Sequence, residues 1–399
     1  MKVAVIDNTC NTGYVLMRFL NDRGIDTTLI ILGGIEDHLD PLNDTFTNQY
    51  FDKIIYAGLH EKGIWLTNRE IHALLDKYDF LIGSDIAPAL CYRIRKQLDI
   101  FMPHGTDIFE YPFRKIHPLQ FSKKDIGDWL YARWQWSGIN SYTRYFLFDI
   151  TNHENEAYVQ RFKNPSFQRI WKSSPHIYYP QYAPGHIASI AAGLEHAMQL
   201  NTLKKDGFRI IMHHCQHVWK TPQHNLFNKG TDKIILGFRQ FLDRHPAEKV
   251  KLVLFMRGRD YEHSLALVSA LQLEDHIVWL PSMPRKHIMV CLSYVDAGIG
   301  ELGHSWFSYN VITEFMAMKV PIIHNCDMDY YRGIHETVYP MYHAVTAEDI
   351  AGHLSTFIQE PAAFAETGLL SHHWWRQQVA DNTLDFIAES IREKAGSQL

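Results

Sequence analysis

Residues 207–256 decide the fold class of this 399-residue chain. The apolar run FRIIM occupies 208–212, the amphipathic run TDKIILGFRQFL occupies 231–242, and the apolar run KLVLFM occupies 251–256. Buried strand, helix and buried strand form the repeating unit of a parallel α/β sheet. The same rhythm continues downstream, with predicted helices at 262–271, 285–292 and 311–318 and strands at 277–280, 297–299 and 320–323.

The N-terminal half starts with the same pattern. A strand at 2–6 (KVAVI) is followed by a polar loop that ends at Gly13, a helix at 14–21 and a strand at 27–32. The sequence therefore predicts an α/β protein with two Rossmann-like, doubly wound domains that face a central cleft. We expect an N-terminal domain at 1–190, a C-terminal domain at 191–372, and a helix at 373–399 that can pack back on the N-terminal domain.

Composition excludes several classes of protein. With 39 basic and 44 acidic residues, a net charge of −5 and 46% hydrophobic residues, the chain is too apolar to be largely disordered. It also lacks the basic surface that a nucleic-acid-binding protein needs. The five cysteines are scattered and odd in number, and no signal peptide or membrane-spanning run is visible. We expect a cytoplasmic protein, or one that is peripheral at the inner membrane face.

The stretch 123–136 has mixed basic and aromatic character (KKDIGDWLYARWQW). Trp and Arg on one helix can dock at a membrane interface. The alternative is an ordinary amphipathic helix that covers the sheet, and Asp125 and Asp128 favour it because they weaken attraction to anionic lipid.

Two motifs in the C-terminal half suggest a nucleotide site. Lys229 and Gly230 precede a helix, where a lysine, free backbone N–H groups and the helix dipole together suit a pyrophosphate. Glu314 lies early in a later helix, where a carboxylate can accept two ribose hydroxyls or simply interact with the helix dipole.

Taken in order over 207–324, these motifs resemble glycosyltransferase family 4, which has the GT-B fold. The matching features are KG-T-D at 229–232, D-x-I-x-W-L-P at 275–281, YVDAGI at 294–299 and EFMAMKVPII at 314–323. The resemblance implies retaining sugar transfer from a nucleotide-diphosphate donor, with no obligatory metal and no further cofactor. It also implies that Lys229 grips the diphosphate, that Glu314 holds the ribose, and that the loop containing Asn11 and Gly13 approaches the donor.

The sequence departs from the family at two positions. The family has a glutamate eight positions before the conserved one, where this chain has Trp306, so Glu301 is the nearest acid that can replace it. The family's arginine before the lysine is also missing, and Lys220 or Arg257 can supply the second positive charge.

His104 and Asp107 follow a strand of the N-terminal domain. In similar enzymes a histidine at this place faces the donor sugar, so His104 can bind a sugar hydroxyl or move a proton. Asp107 can orient that imidazole or contact the acceptor. The alternative is an Asx-type turn at Gly105.

Two further patterns have alternative interpretations. The histidine cluster at 213–217 invites a zinc site, but no second ligand pair follows at standard spacing, so we expect no metal. The GxGxxG run at 298–303 lies too late in its domain for a dinucleotide fingerprint. A loop near the donor sugar, including Gly303, fits it better.

The resulting hypothesis is a glycosyltransferase for surface polysaccharide. Its catalytic candidates are His104, Asp107, Lys229 and Glu301. Its partners are a nucleotide sugar and a glycan or lipid-linked acceptor, without nucleic acid and with 123–136 as the candidate membrane contact. The alternatives are a nucleotide-sugar epimerase of GT-B fold and a degenerate nucleotide-sugar-binding protein.

Overall fold

A computed structural model describes residues 1–33, 40–58, 66–114, 123–147, 153–163, 165–220 and 228–397. The chain divides into two compact units. One unit comprises Met1–Tyr178 together with Gln378–Leu399, and the other comprises Tyr179–Gln377. The predicted domain boundaries were residues 190 and 372. In the structure the chain therefore leaves the first unit earlier and returns to it later.

The first unit contains a parallel sheet of seven strands in the order β3-β2-β1-β4-β5-β6-β7. The strands are β1 Val3–Ile6, β2 Thr27–Ile31, β3 Ile54–Tyr56, β4 Phe80–Gly83, β5 Leu98–Phe101, β6 Thr143–Leu147 and β7 Gln168–Ile170. The helices are α1 Thr12–Asp22, α2 Asn68–Leu75, α3 Ala87–Arg93, α4 Thr106–Phe109, α5 Lys123–Tyr142 and α6 His153–Val159. Strands β1 and β4 are neighbours. Strands β2 and β3, which follow β1, lie toward one edge of the sheet, and β5, β6 and β7, which follow β4, lie toward the other. This is the topological switch point, where open α/β sheets bind ligands beyond the carboxyl ends of the strands.

The second unit repeats this plan with six parallel strands in the order β10-β9-β8-β11-β12-β13. They are β8 Arg209–His213, β9 Val250–Phe255, β10 Ile277–Leu280, β11 Ala297–Ile299, β12 Ile322–His324 and β13 Tyr342–His343. The helices are α7 Pro184–Ala191, α8 Glu195–Lys205, α9 Thr231–Arg244, α10 Tyr261–Ala270, α11 Arg285–Leu292, α12 Asn310–Ala317, α13 Met328–Arg332, α14 Ala347–Gln359 and α15 Pro361–Trp374. The switch point here lies between β8 and β11.

Burial explains why these runs become central strands. All four residues of β1 are buried, as are all three of β11, and four consecutive residues of β8. A parallel sheet covered by helices on both faces requires such continuously apolar strands. The polar chemistry is therefore carried by the chain turns at the carboxyl ends of these strands.

The last helix, α16 (Asn382–Gly396), belongs to the first unit. The Lys394 ammonium binds the fully buried carboxylate of Asp99 at 2.6 Å. Thr383 donates a hydrogen bond to the carbonyl of Ser173 at 2.8 Å. The C-terminal segment thus packs on the N-terminal sheet.

The basic and aromatic stretch 123–136 lies on α5. Ile126 and Trp129 are exposed at 43% and 37%, whereas Tyr131 and Ala132 are buried. The helix approaches α3 so closely that a Cβ on Gly138 would lie 2.0 Å from the Pro88 carbonyl oxygen. Part of α5 therefore covers the core, as the second interpretation expects, although its apolar residues are not confined to one face. In the described part of the chain, no helix is both long and apolar enough to cross a membrane.

Candidate functional site

Two glycines bring the Lys229 turn against the loop after β11. Gly230 has a positive φ of 69° and caps the N-terminus of α9. A Cβ on Gly303 would lie 1.9 Å from the Asn228 carbonyl oxygen, so only glycine permits this approach. The Leu302 N–H donates to the Lys229 carbonyl at 3.1 Å and closes the contact. The predicted donor residues at 229–230 and 303 therefore lie side by side.

Lys229 forms an ion pair with Glu301. Its ammonium lies 2.6 Å from Glu301 Oε1, and the Glu301 side chain is only 7% exposed. Burial raises the pKa of Glu301, while the Lys229 charge opposes that rise. The other oxygen, Oε2, is buried without a hydrogen-bond partner in the described residues. Glu301, the acid expected to replace the family's first glutamate, thus adjoins the predicted diphosphate lysine.

Glu314 lies on α12, beyond the first turn where the sequence predicts it, and makes a second buried side-chain contact. Its Oε2 lies 2.6 Å from His214 Nε2, and both side chains are almost fully buried. His214 directly follows β8, at the carboxyl end of the strand beside the switch point. Its other ring nitrogen, Nδ1, is buried and has no partner among the described residues. Sequence reasoning missed this partner of Glu314, although its position just after a central strand was the available signal.

Four of the five charged candidates of this unit act electrostatically on one buried thiol. Burial raises the pKa of Cys215 well above its ordinary value, and the charge of Glu301 raises it further. The positive charges of Lys229 and Arg257 lower the pKa of the same thiol, and the charge of Glu314 raises it. All four charges thus act on a residue that lies two positions after β8.

Lys220 and Arg257 lie on neighbouring loops. The Lys220 N–H donates to Asp260 Oδ2 at 2.9 Å, and the Arg257 carbonyl accepts from the His217 N–H at 2.8 Å. Gly258, with φ of 113°, allows this contact because a Cβ there would lie 2.4 Å from the His217 nitrogen. Neither cation pairs with a carboxylate in the described part of the chain, so both are available to a ligand.

The histidines at 213–217 bind separate protein partners. His213 contacts the Ile299 carbonyl at 2.9 Å and the Thr231 hydroxyl at 3.3 Å, and burial lowers its pKa to about 3. His217 binds the Ser264 hydroxyl at 2.7 Å. Among the described residues, no three His, Cys, Asp or Glu side chains gather as a metal-ligand set.

In the first unit, the loop after β1 is held by its own side chains. Asn11, with φ of 60°, accepts a hydrogen bond from Asn8 Nδ2 at 2.8 Å and is 2% exposed. A Cβ on Gly13 would lie 2.1 Å from the Asp7 carbonyl oxygen, so glycine lets α1 begin directly beside the end of β1. The amide of Asn11 thus shapes the loop.

His104 lies close to this loop. The Thr12 hydroxyl lies 3.1 Å from His176 Nδ1, and the rings of His176 and His104 are 6.2 Å apart. Burial lowers the pKa of His104 to about 4, so its imidazole is neutral at pH 7. Its Nε2 is buried and has no partner in the described residues. The structure therefore brings together the Asn11–Gly13 loop and His104.

Asp107 stabilises the turn at Gly105. Its carboxylate accepts N–H bonds from His104, Gly105 and Asp85, at 2.8 to 3.2 Å. Burial raises the pKa of Asp107 to about 6, although these N–H bonds oppose the rise. The carboxylate binds backbone N–H groups, and the imidazole of His104 is not among its hydrogen-bond partners in the described residues. The geometry is that of the Asx-type alternative.

Comparison with known proteins places the whole chain in one fold. No family model matches it, and no curated protein matches its sequence. Solved structures do match. HepE from Anabaena in complex with UDP-glucose has a TM-score of 0.61 and 13% identity, over 98% of this chain and 100% of that chain. Sucrose-phosphate synthase from Thermosynechococcus elongatus has a TM-score of 0.60 and 12% identity, over 100% of both chains.

A UDP-GlcNAc 2-epimerase is also similar. The Neisseria meningitidis enzyme bound to UDP-GlcNAc has a TM-score of 0.54 and 10% identity, over 98% of this chain and 100% of that chain. Likeness at such low identity shows the fold alone. It confirms the predicted α/β class with two Rossmann-like domains, as in GT-B proteins. Membership of glycosyltransferase family 4 stays a prediction.

Proposed function

We propose that this protein is a retaining, metal-independent glycosyltransferase that uses a nucleotide-diphosphate sugar. One observation carries the proposal: Lys229 at the start of α9, Glu301 and Glu314 converge beside the switch point of the second sheet. A cation and a helix N-terminus suit the diphosphate of such a donor, and buried carboxylates can accept hydrogen bonds from its hydroxyl groups. Similar structures in complex with UDP-glucose and UDP-GlcNAc support a uridine donor.

Lys229 is proposed to bind the diphosphate. An ammonium has three N–H donors and uses one for Glu301, so a phosphate oxygen can bind without breaking the pair. The positive end of the α9 dipole lies at the N-terminus of the helix and attracts the same diphosphate. Arg257 or Lys220 supplies the second positive charge, because neither pairs with a carboxylate of the described chain.

Glu314 is proposed to bind the ribose by accepting hydrogen bonds from the ribose hydroxyl groups. His214 fixes one of its oxygens at 2.6 Å, which orients the carboxylate and leaves lone pairs for a ligand. Glu301 Oε2 is an acceptor that no described protein group satisfies, and it is proposed to bind a hydroxyl of the donor sugar.

The proposed transfer breaks the bond between the anomeric carbon and the diphosphate oxygen. The electron pair leaves with the diphosphate, where Lys229 and the α9 N-terminus stabilise the developing charge. The acceptor hydroxyl oxygen then bonds to the same face of the anomeric carbon, and its proton passes to the departing diphosphate oxygen. The first unit is proposed to bind the acceptor, which is a glycan or a lipid-linked saccharide. Neutral His104 would be one of its hydrogen-bond partners.

A nucleotide-sugar epimerase is the second candidate, because the similar epimerase has the same fold. That reaction would change the free nucleotide sugar in the absence of any acceptor. A degenerate binding protein would retain nucleotide affinity without either reaction.

Binding of a panel of nucleotide diphosphates and nucleotide sugars, measured by thermal shift, is the first test. A true donor at 100 times its dissociation constant adds about 2.7 kcal/mol to the free energy of unfolding. Lys229→Ala should then lower turnover by about two orders of magnitude or more, because the leaving group loses its cation. Lys205→Ala is the matched control, since Lys205 is exposed on α8. Equal turnover in the two variants would refute the role of Lys229.

A further inference from the structure

Three acidic residues cluster at the switch point of the first sheet, and we call this cluster the acidic pocket. Asp7 follows β1, Asp85 follows β4, and Asp107 lies in the turn after β5. The Asp85 N–H donates to Asp107 Oδ2 at 3.2 Å, which joins two of them directly. The charges of Asp7 and Asp107 both act on Asp85.

The three acids differ in what they bind. Asp107 is saturated by backbone N–H groups, and Asp7 accepts from the Thr9 hydroxyl at 3.2 Å. The carboxylate of Asp85 has no hydrogen bond or ion pair within the described residues. The buried position and the neighbouring acids raise its pKa to about 7. Asp85 is therefore the member with free acceptor capacity.

Helix α5 forms one wall of this pocket. Gln135 donates its amide to the Asp85 carbonyl at 2.7 Å and to the Asp107 carbonyl at 3.3 Å. Tyr131 lies one turn earlier on the same face of the helix, because residues four apart are neighbours on a helix. Its ring packs edge-on against Tyr111, with centroids 6.2 Å apart.

The Tyr131 hydroxyl is the independent sign of a ligand. The side chain is 7% exposed, and its oxygen has no hydrogen-bond partner in the described part of the chain. The oxygen lies within electrostatic range of Asp85, Asp107 and Asp7. A buried hydroxyl without a partner is unfavourable, and a ligand in the pocket would remove that cost. His104 Nε2, also buried and without a partner, adds a second such group after β5.

We propose that this pocket binds the acceptor saccharide through a hydroxyl or ammonium group that donates to Asp85, and that it excludes acceptors with a phosphate or carboxylate there. The inference rests on the proposed glycosyl transfer and names the class of acceptor. Carboxylates repel an anion at short range, and within the described part of the chain no positive charge acts on Asp85. Tyr131 and His104 supply the remaining polar contacts, and Asp85 is a specificity-determining residue.

Ligand-observed NMR tests the proposal with four probes in the presence of UDP. They are the methyl glycosides of glucose, glucosamine, glucose 6-phosphate and glucuronic acid. The first two should bind and the two anions should not. Asp85→Asn should weaken the glucosamine glycoside about tenfold or more, because a charge-assisted hydrogen bond is lost. Asp85→Asn should also reduce the discrimination against the anions.

Two further variants complete the test. Tyr131→Phe should weaken both bound glycosides and should not unfold the chain, because it removes a buried group without a partner. Asp52→Asn is the control, since Asp52 is exposed in the same unit, and it should change nothing. Equal binding of the anions, binding of none of the four probes, or unchanged affinity in Asp85→Asn would overturn the acceptor proposal.

The donor side is measured separately in the same proteins. UDP-sugar binding by thermal shift should persist in Asp85→Asn, because the proposed donor residues belong to the second unit. Loss of all donor binding in the unmodified protein would instead refute the transferase proposal. The two failures are therefore distinguishable.

Discussion

Removal of the positive charge from the Lys229–Glu301 pair should destabilise the second unit. Lys229→Met leaves the Glu301 carboxylate buried, with both oxygens lacking a counter-ion. Loss of one partner of a buried pair costs about 3–5 kcal/mol. The Lys229 side chain is 21% exposed and therefore partly screened by water, so we expect about 2–3 kcal/mol. Glu301→Gln leaves a partly solvated ammonium and should cost about 1 kcal/mol.

The double variant measures the coupling free energy between Lys229 and Glu301. Lys229→Met combined with Glu301→Gln should lose less free energy of unfolding than the sum of the single variants, by about 1–3 kcal/mol. Because the chain has two units, urea unfolding should be followed by hydrogen exchange at the amides of β8 and β11 as well as by fluorescence. Strictly additive losses would refute a direct ion pair.

The pH dependence gives a second check on the same pair. Burial raises the folded-state pKa of Glu301, and Lys229 opposes that rise, so Lys229→Met should raise it further. An acid with a raised folded pKa contributes stability at low pH and loses it as the pH rises through that pKa. The loss in Lys229→Met should therefore be smaller near about pH 5 than near about pH 8. A loss independent of pH would contradict the assignment.

Three other variants test separate parts of the account. His214→Gln should weaken UDP binding by calorimetry about tenfold, because Glu314 loses the 2.6 Å contact that orients it; unchanged affinity would contradict the ribose role. Asp85→Asn should raise the free energy of unfolding by at most about 4 kcal/mol at pH above about 7, where the carboxylate is ionised, and change it little near about pH 4, where the acid is already protonated. The same gain at both pH values would refute the raised pKa. Gly303→Ala should lower turnover about tenfold or more, because its Cβ would lie 1.9 Å from a backbone carbonyl oxygen of the lysine turn. Gly352→Ala is the control for Gly303→Ala, since no atom lies within 4 Å of its Cβ on α14, and equal turnover in both would show that the turn tolerates the change.

The second sheet could be predicted because its strands are short, apolar and evenly spaced. The predicted strand at 251–256 is observed as Val250–Phe255, and that at 277–280 as Ile277–Leu280. Burial on both faces leaves a continuous apolar signal in such strands. Local pattern was sufficient here.

The region after residue 110 was harder. Strands β6 and β7 lie toward one edge of the first sheet, and β7 has no buried residue. Helix α5 mixes aromatic, charged and small residues around its whole circumference, so no single apolar face marked it. Without a periodic signal, sequence reasoning placed a helix within 123–136 but assigned neither β6 nor β7.

The site was predicted in its parts and not in its pairings. Lys229 stood out because it precedes the glycine that caps α9, and Glu314 because it opens the run EFMAMKVPII, which is local information. Their partners lie 72 and 100 positions away in the sequence, for Glu301 and His214 respectively. Such contacts depend on which strands are neighbours, and the sheet order is not a local property of the sequence. Asp85 was missed for the same reason.

The most direct measurement of the central claim is proton NMR of a reaction with UDP-glucose and a methyl glucoside acceptor. We expect release of UDP and a new glycosidic signal with the α configuration of the donor. We also expect the rates of UDP release and of product formation to fall by about two orders of magnitude in Lys229→Ala. A product of β configuration, an epimerised free nucleotide sugar, or no UDP release from any nucleotide sugar that binds would contradict it.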